Sequence, residues 1–219
     1  ILVHPDEKGK EATLTDYVLS YLNEKGHYLP EQEVTFTPAP CNRLDRNTSG
    51  LVIFGKSFEG LRGVNEMIRE EKVEKYYNAL VTGKIKDGLY TGYIHKNEEA
   101  NISKIYDEPA KDRKAIAMEV KTLKTNGAYS FLEINLITGR SHQIRAHLSH
   151  LGTPIIGDNK YGNKKLNSFF TNKFGLECQI LYAYKIIFRD ATGKLEYLTN
   201  KTVIESLPPI FKKIKNDVF

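Results

Sequence analysis

The dipeptide Asn126-Gly127 constrains the fold of this chain more than any other feature. A two-residue hairpin turn needs positive φ at its central positions, and Asn-Gly tolerates that best. On either side the sequence has strand character. Residues 116–123 and 129–137 read as two strands, and Leu132, Ile134 and Leu136 share one face of the second. A chain holding such a hairpin must build an antiparallel sheet, and other runs are ready to join it. Residues 73–82 read as a strand, and residues 180–188 alternate Ile180, Tyr182, Tyr184, Ile186 and Phe188. Residues 51–54 and 195–198 read as shorter strands. The opening Ile1-Leu2-Val3-His4-Pro5 reads as the end of another.

Helical spacing appears in four places. Residues 13–25 carry Leu14, Tyr17, Val18, Tyr21 and Leu22, with Gly26 to close the helix. Ser57 is an N-cap for a helix with Phe58, Leu61, Val64, Met67 and Ile68 on its inner side. Ser141 is the expected cap of a third, striped by Ile144, Leu148 and Leu151, and Pro208-Pro209 opens a fourth with Phe211 and Ile214. Residues 84–114 read as a loop-rich excursion with short strands, Tyr93-Ile94 among them. Residues 164–173 read as a basic loop rich in Phe and Asn.

At 219 residues the chain suits one large domain or two small lobes. No apolar run approaches the roughly 18 residues that a membrane helix needs, and no secretory segment is present. Cys41 and Cys178 are too few for a disulfide framework and lack metal-site spacing, which points to the reducing cytoplasm. The net charge of +5 suits an acidic partner such as nucleic acid.

Two stretches carry the chemistry. In Asn42-Arg43-Leu44-Asp45-Arg46-Asn47-Thr48-Ser49-Gly50 a carboxylate lies between two arginines and runs into a polar turn that cannot bury itself. Flanking guanidinium groups favour the carboxylate form, the state in which Asp45 can act as nucleophile or base. Taken alone this is also how an ordinary charged surface loop looks. The second stretch, Thr138-Gly139-Arg140-Ser141-His142-Gln143-Ile144-Arg145-Ala146-His147-Leu148, sets Arg140 at a strand-to-helix junction, where side chains commonly project into a site. Between them, Lys75-Tyr76-Tyr77-Asn78-Ala79-Leu80-Val81 puts adjacent tyrosines on opposite faces of a strand. His142 and His147 diverge by about 140° around a helix. His147 and His150 can share a face, but no Asp, Glu or Cys stands at zinc-site spacing. No phosphate-binding or dinucleotide-binding glycine motif and no Gly-x-Ser-x-Gly elbow is present.

These stretches, with Gly152, Pro154, Ile155, Gly157-Asp158 and Tyr161-Gly162 in the same order and spacing, resemble the RluA-type family of RNA pseudouridine synthases. The resemblance covers nearly all of the chain. It implies an α+β fold, with a mixed, largely antiparallel sheet in two lobes flanking a catalytic cleft. It implies isomerisation of a specific uridine in ribosomal or transfer RNA, by a cytoplasmic monomer that needs no metal, redox or nucleotide cofactor. Asp45 matches the catalytic aspartate, attacking or deprotonating the ribose. Tyr77 would stack on uracil and help remove the C5 proton, and Arg140 would pair with Asp45. Arg43 would enter the RNA stack and hold the target uridine flipped out. Arg46, His142 and Arg145 would contact RNA, joined by Lys164, Lys165 and Lys173, while Leu136 and Ile144 would wall the pocket.

The chain departs from the family pattern in several places. The strand that opens the family's catalytic domain is absent, as is the S4 RNA-binding domain of many members, so residues 1–219 are expected to form a catalytic domain without them. Asn42 stands where His is usual, Ser141 stands for Thr, and residues 88–112 match poorly. A non-catalytic RNA-binding protein would be favoured by loss of Asp45 or Arg140, and both are present. A nuclease using His147 and His150 lacks the remaining metal ligands.

Overall fold

The computed structural model describes residues 2–4, 11–33 and 35–219. The chain divides into two units, Ile1–Val73 with Ile187–Val203, and Glu74–Ile186 with Ile204–Phe219.

In the first unit, α1 (Leu14–Glu24) starts at a capping box, with the Thr13 N–H donating to Asp16 at 2.7 Å. Gly26, at φ 67, turns the chain after it. Leu22 is buried, but Tyr17 and Tyr21 are more than half exposed, so the apolar stripe is only partly used. Strands β1 (Ala39–Pro40) and β3 (Phe54–Gly55) pair antiparallel, with β2 (Ser49–Gly50) in the excursion between them. The strand expected at 51–54 is therefore confined to its end. Helix α2 (Phe58–Arg69) is capped by Ser57 as expected, and buries Val64 and Met67. Phe58, expected inward, is 62% exposed at the first helical position. Residues 2–4 are not strand, although the Leu2 and Val3 carbonyls accept from the N–H groups of Leu14 and Thr15. Ile1 and Pro5 lie outside the described residues.

The second unit is built on a sheet. Its strands are β4 (Val73–Thr82), β5 (Gly88–Asn97), β6 (Ile102–Tyr106), β7 (Lys114–Thr125), β8 (Tyr129–Leu136) and β9 (Leu181–Phe188), running β9-β4-β8-β7-β5-β6. The registers β4–β8, β8–β7, β7–β5 and β5–β6 are all antiparallel. The β7–β8 hairpin forms, but its turn centres one residue later than expected, on Gly127-Ala128. Gly127 is at φ 91, while Asn126 is not left-handed, its N–H donating to the Tyr129 carbonyl and its side chain accepting from the Ala128 and Tyr129 N–H groups. Residues 84–114, expected to be mostly loop, instead supply the long strand β5 and the edge strand β6. Only Ile94, Ser103 and Ile105 of these two strands are buried, so the sequence shows no apolar alternation across the exposed face.

Helix α3 (Gln143–His150) lies on one face of this sheet, where Ala146 packs with Ile94, Ile105 and Ile116. On the other face Leu80, Phe131 and Tyr182 pack with Phe170 of α4 (Lys164–Phe174) and with Phe211 and Ile214 of α5 (Pro209–Val218). Residues 164–173 are thus helix, not loop. Asn163 caps the helix by accepting from the Lys165 and Leu166 N–H groups, and Gly175 ends it in a left-handed conformation. Residues 193–198 form a 3-10 helix where a strand was expected, and β10 (Thr202–Ile204) follows it.

Candidate active site

Asp45 is held by a turn. In the excursion from β1 to β3, the Cys41 N–H donates to the Ile53 carbonyl at 2.7 Å, and Asn42 Oδ1 accepts from the Ile53 N–H at 2.8 Å. Asn42 therefore closes the base of the loop. The Asp45 carbonyl then accepts from the Thr48 N–H at 2.9 Å, with Asn47 left-handed at φ 67. Positive φ at the third of four turn residues is the type II pattern, and Asn tolerates it. Asp45 is half-buried at the start of this turn, while Arg43 and Arg46 are exposed.

The other candidates belong to the second unit. Tyr77 is buried on β4 opposite Ile134. By alternation it shares a face with Ile134 and Leu136, and through the pair Met118–Leu136 with Met118 and Ile116. This is the face α3 covers, so Tyr77, Leu136 and Ile144 lie on one side of the sheet. Tyr76 points the other way, donating to Glu74 with Lys185 over its ring at 4.0 Å. Burial first, then the hydrogen bond to Glu74, pushes the Tyr76 phenol to about 12. Of the two adjacent tyrosines only Tyr77 faces α3.

Arg140 is exposed on the turn between β8 and α3. Thr138 ties this turn to β7, its N–H donating to the Ala117 carbonyl at 3.2 Å and its hydroxyl accepting from the Ala117 N–H at 2.9 Å. Ser141 is not the cap. His142 occupies that position in a left-handed conformation, φ 56, without a capping hydrogen bond from its side chain. Its Nδ1 lies 2.9 Å from the Tyr161 hydroxyl. That hydroxyl accepts from the Ser103 N–H at 2.7 Å, which leaves its own proton for His142.

Arg145 corrects the sequence reading. Expected on an RNA-facing surface, it is 5% exposed, with Nε 2.7 Å from Asp158 Oδ2 and a terminal nitrogen 3.0 Å from Oδ1. Asp158 is fully buried and also accepts from the Lys160 and Tyr161 N–H groups. Burial opposes its ionisation, but the hydrogen bonds and charge of Arg145 outweigh that and hold the carboxyl below its ordinary range. Gly157-Asp158 and Tyr161-Gly162 thus form a scaffold behind α3. A Cβ at Gly157 would meet the Cys178 carbonyl oxygen at 2.2 Å. Lys173 is likewise tied, to Asp217 at 2.6 Å, while Lys164 and Lys165 are exposed.

His147 is buried against Tyr90, while the neighbouring His150 is exposed, 3.4 Å from Asp107. Burial, with the neighbouring His150 adding to it, pushes the His147 imidazole down to about 4. No group of three His, Cys, Asp or Glu side chains among the described residues could hold a metal ion. No helix among them is long and apolar enough to cross a membrane. Sequence reasoning missed Gln143, which is 2% exposed and bonded to the Arg140 turn. The signal was its position three residues after Arg140, from which a Gln in a first helical turn reaches back to a backbone N–H.

The family described as RNA pseudouridylate synthase matches residues 1–150, a span that includes the Asp45 turn, β4 and α3. The chain belongs to the RNA pseudouridylate synthase family, and to its RluA type. The ribosomal large subunit pseudouridine synthase C of Buchnera aphidicola is 38% identical over 181 residues, covering 76% of this chain and 55% of that protein. An uncharacterised RNA pseudouridine synthase of Mycoplasma genitalium is 30% identical over 213 residues, covering 94% and 63%. The chain therefore spans less than two thirds of the length of these two. The tRNA pseudouridine synthase C of Vibrio parahaemolyticus is 31% identical over 192 residues, covering 81% and 77%. Among solved structures, human RNA pseudouridylate synthase domain containing 4 shares the fold with a TM-score of 0.74 at 21% identity, covering 99% of this chain and 92% of that one.

Proposed function

We propose that this chain is the catalytic part of an RNA pseudouridine synthase acting on a uridine of ribosomal or transfer RNA, with Asp45 as its catalytic carboxylate. The observation that carries the reading is the family match across residues 1–150, which includes a half-buried Asp45 on a turn whose polar run stays at the surface. The reaction breaks the bond from ribose C1′ to uracil N1 and forms one from C1′ to C5. The C5 proton is released and N1 gains one, so no oxidant or reductant enters.

Asp45 opens the reaction at the ribose, by attack or by proton abstraction. Tyr77 supplies the ring beside the uracil and assists the loss of the C5 proton, with Leu136 and Ile144 as apolar walls. Arg140 is the cation that serves Asp45. An enzyme working on a stacked base must extrude it, and the exposed Arg43 takes the vacated place while Arg46 and His142 contact the flanking RNA. The same reading puts the enzyme in the cytoplasm with those RNAs, acting as a monomer.

The test is tritium release from transcripts of ribosomal and transfer RNA carrying uridine labelled at C5. Release approaching one equivalent per target site is expected, without added metal or nucleotide. No release from either class of RNA would overturn the assignment.

A further inference from the structure

Arg140 has an exposed side chain on a tightly constrained backbone. Between the end of β8 and the start of α3 the chain passes through His142 in the left-handed region. A non-glycine residue persists there only where its surroundings over-determine it, and such strain collects at functional sites. One side chain supplies much of that determination. The Gln143 carbonyl oxygen accepts from the Arg140 N–H at 3.1 Å and from the Thr138 hydroxyl at 2.9 Å. Its amide nitrogen donates to the Ala117 carbonyl on β7 at 3.1 Å. Its own backbone N–H donates to the Arg140 carbonyl at 3.1 Å. Both polar groups of the Arg140 backbone therefore end on Gln143, and Gln143 is bolted to the sheet.

We infer that Gln143 is a positioning residue for the reaction, fixing the direction in which the Arg140 guanidinium leaves its turn. The inference rests on the role proposed for Arg140. Gln143 is buried with its side chain bonded to Thr138, Arg140 and Ala117, so its effect on turnover passes through the backbone it holds. Such placement matters because a displacement of about 1 Å in a reacting constellation can cost on the order of 100-fold in rate.

Two variants separate positioning from bulk stability. Gln143→Met keeps the shape and removes every side-chain hydrogen bond. It should lower kcat by roughly 10- to 100-fold while leaving KM and the affinity for RNA within about twofold. Gln143→Glu supplies the second readout. Ionised, it turns an oxygen without a proton towards the Ala117 carbonyl, and the clamp is broken. Protonated, it restores the whole pattern, the carbonyl accepting twice and the hydroxyl donating to Ala117. The groups that face it are the Ala117 and Arg140 peptides and the Thr138 hydroxyl, none of which titrates near neutrality. The kcat of Gln143→Glu, normalised at each pH to the folded fraction measured by circular dichroism, should therefore recover towards wild type as pH falls from 8 to 5.

A third measurement needs no activity. In amide hydrogen exchange, the Arg140 N–H of Gln143→Met, or of Gln143→Glu at pH 8 should the first fail to fold, should exchange at least about tenfold faster than in wild type, with Leu148 as the internal reference. Unchanged Arg140 exchange would overturn the inference, as would a kcat of Gln143→Glu that falls in parallel with wild type at low pH. If wild type releases no tritium from any RNA, the proposed function fails, and the exchange result still decides whether Gln143 fixes the turn.

Discussion

Removal of Asp158 distinguishes a scaffold from an RNA surface. In Asp158→Asn the carboxylate that receives two hydrogen bonds from Arg145 becomes a neutral amide, whose oxygen can accept only one of them while its NH2 turns a donor towards a donor. Asp158 is 0% exposed and Arg145 5% exposed, so water cannot replace the lost partner. Breaking a buried pair by removing one member typically costs about 3–5 kcal/mol, because the remaining charge stays buried. For a chain of this size each kcal/mol moves the melting midpoint by roughly 2–4 °C, which gives a fall of about 6–20 °C. Arg145→Ala should fall in the same range. Thermal and urea melts followed by circular dichroism provide the assay. The pH dependence has a definite sign. The folded Asp158 carboxyl titrates below its ordinary 3.8, so its contribution is present above that value and lost as pH falls through the folded value. The gap between wild type and Asp158→Asn should therefore close below pH 3.8. A midpoint shift under about 2 °C for Arg145→Ala, together with weaker RNA binding and a shallower salt dependence, would refute the reasoning.

Three further outcomes are expected. The His147 imidazole should stay neutral by NMR titration until pH approaches about 4, and stability should fall as pH drops below 6.5, since the unfolded chain takes up a proton that the buried ring refuses; a His147 titration near 6.5 would contradict this. Gly157→Ala combines a left-handed φ of 82 with a backbone overlap, and should destabilise by at least about 2 kcal/mol in urea melts. For RNA binding, Arg46→Ala should reduce the slope of log affinity against log salt by about 0.7, the value per phosphate contact on a single strand, and an unchanged slope would remove Arg46 from the interface.

The strands with apolar faces were legible in the sequence, as were helices α1, α2, α3 and α5. Residues 73–82, the β7–β8 hairpin (its turn one residue late) and the helix from Ser57 all form where local chemistry places them, because propensity, turn residues and pattern agree there. Strands β5 and β6 escaped notice because neighbouring strands supply their hydrogen bonds while one face remains wet. Helix α4 was hidden by Asn163, read as loop composition though it acts as a cap. At the candidate site residue type alone did not tell surface from interior. Arg145 and Arg140 look alike in sequence, yet one is clamped by Asp158 and the other is exposed. The partner that buries Arg145 lies in another loop, and a single sequence carries no local sign of it.

The most direct test of the central claim is tritium release by Asp45→Asn, measured beside wild type on the same C5-labelled RNA with RNA affinity checked in parallel. The substitution is nearly isosteric on a turn held through the Asp45 carbonyl, so folding and RNA binding should be retained. The proposed role of Asp45 predicts no detectable turnover. Release within tenfold of wild type would show that the carboxylate is not the catalytic group.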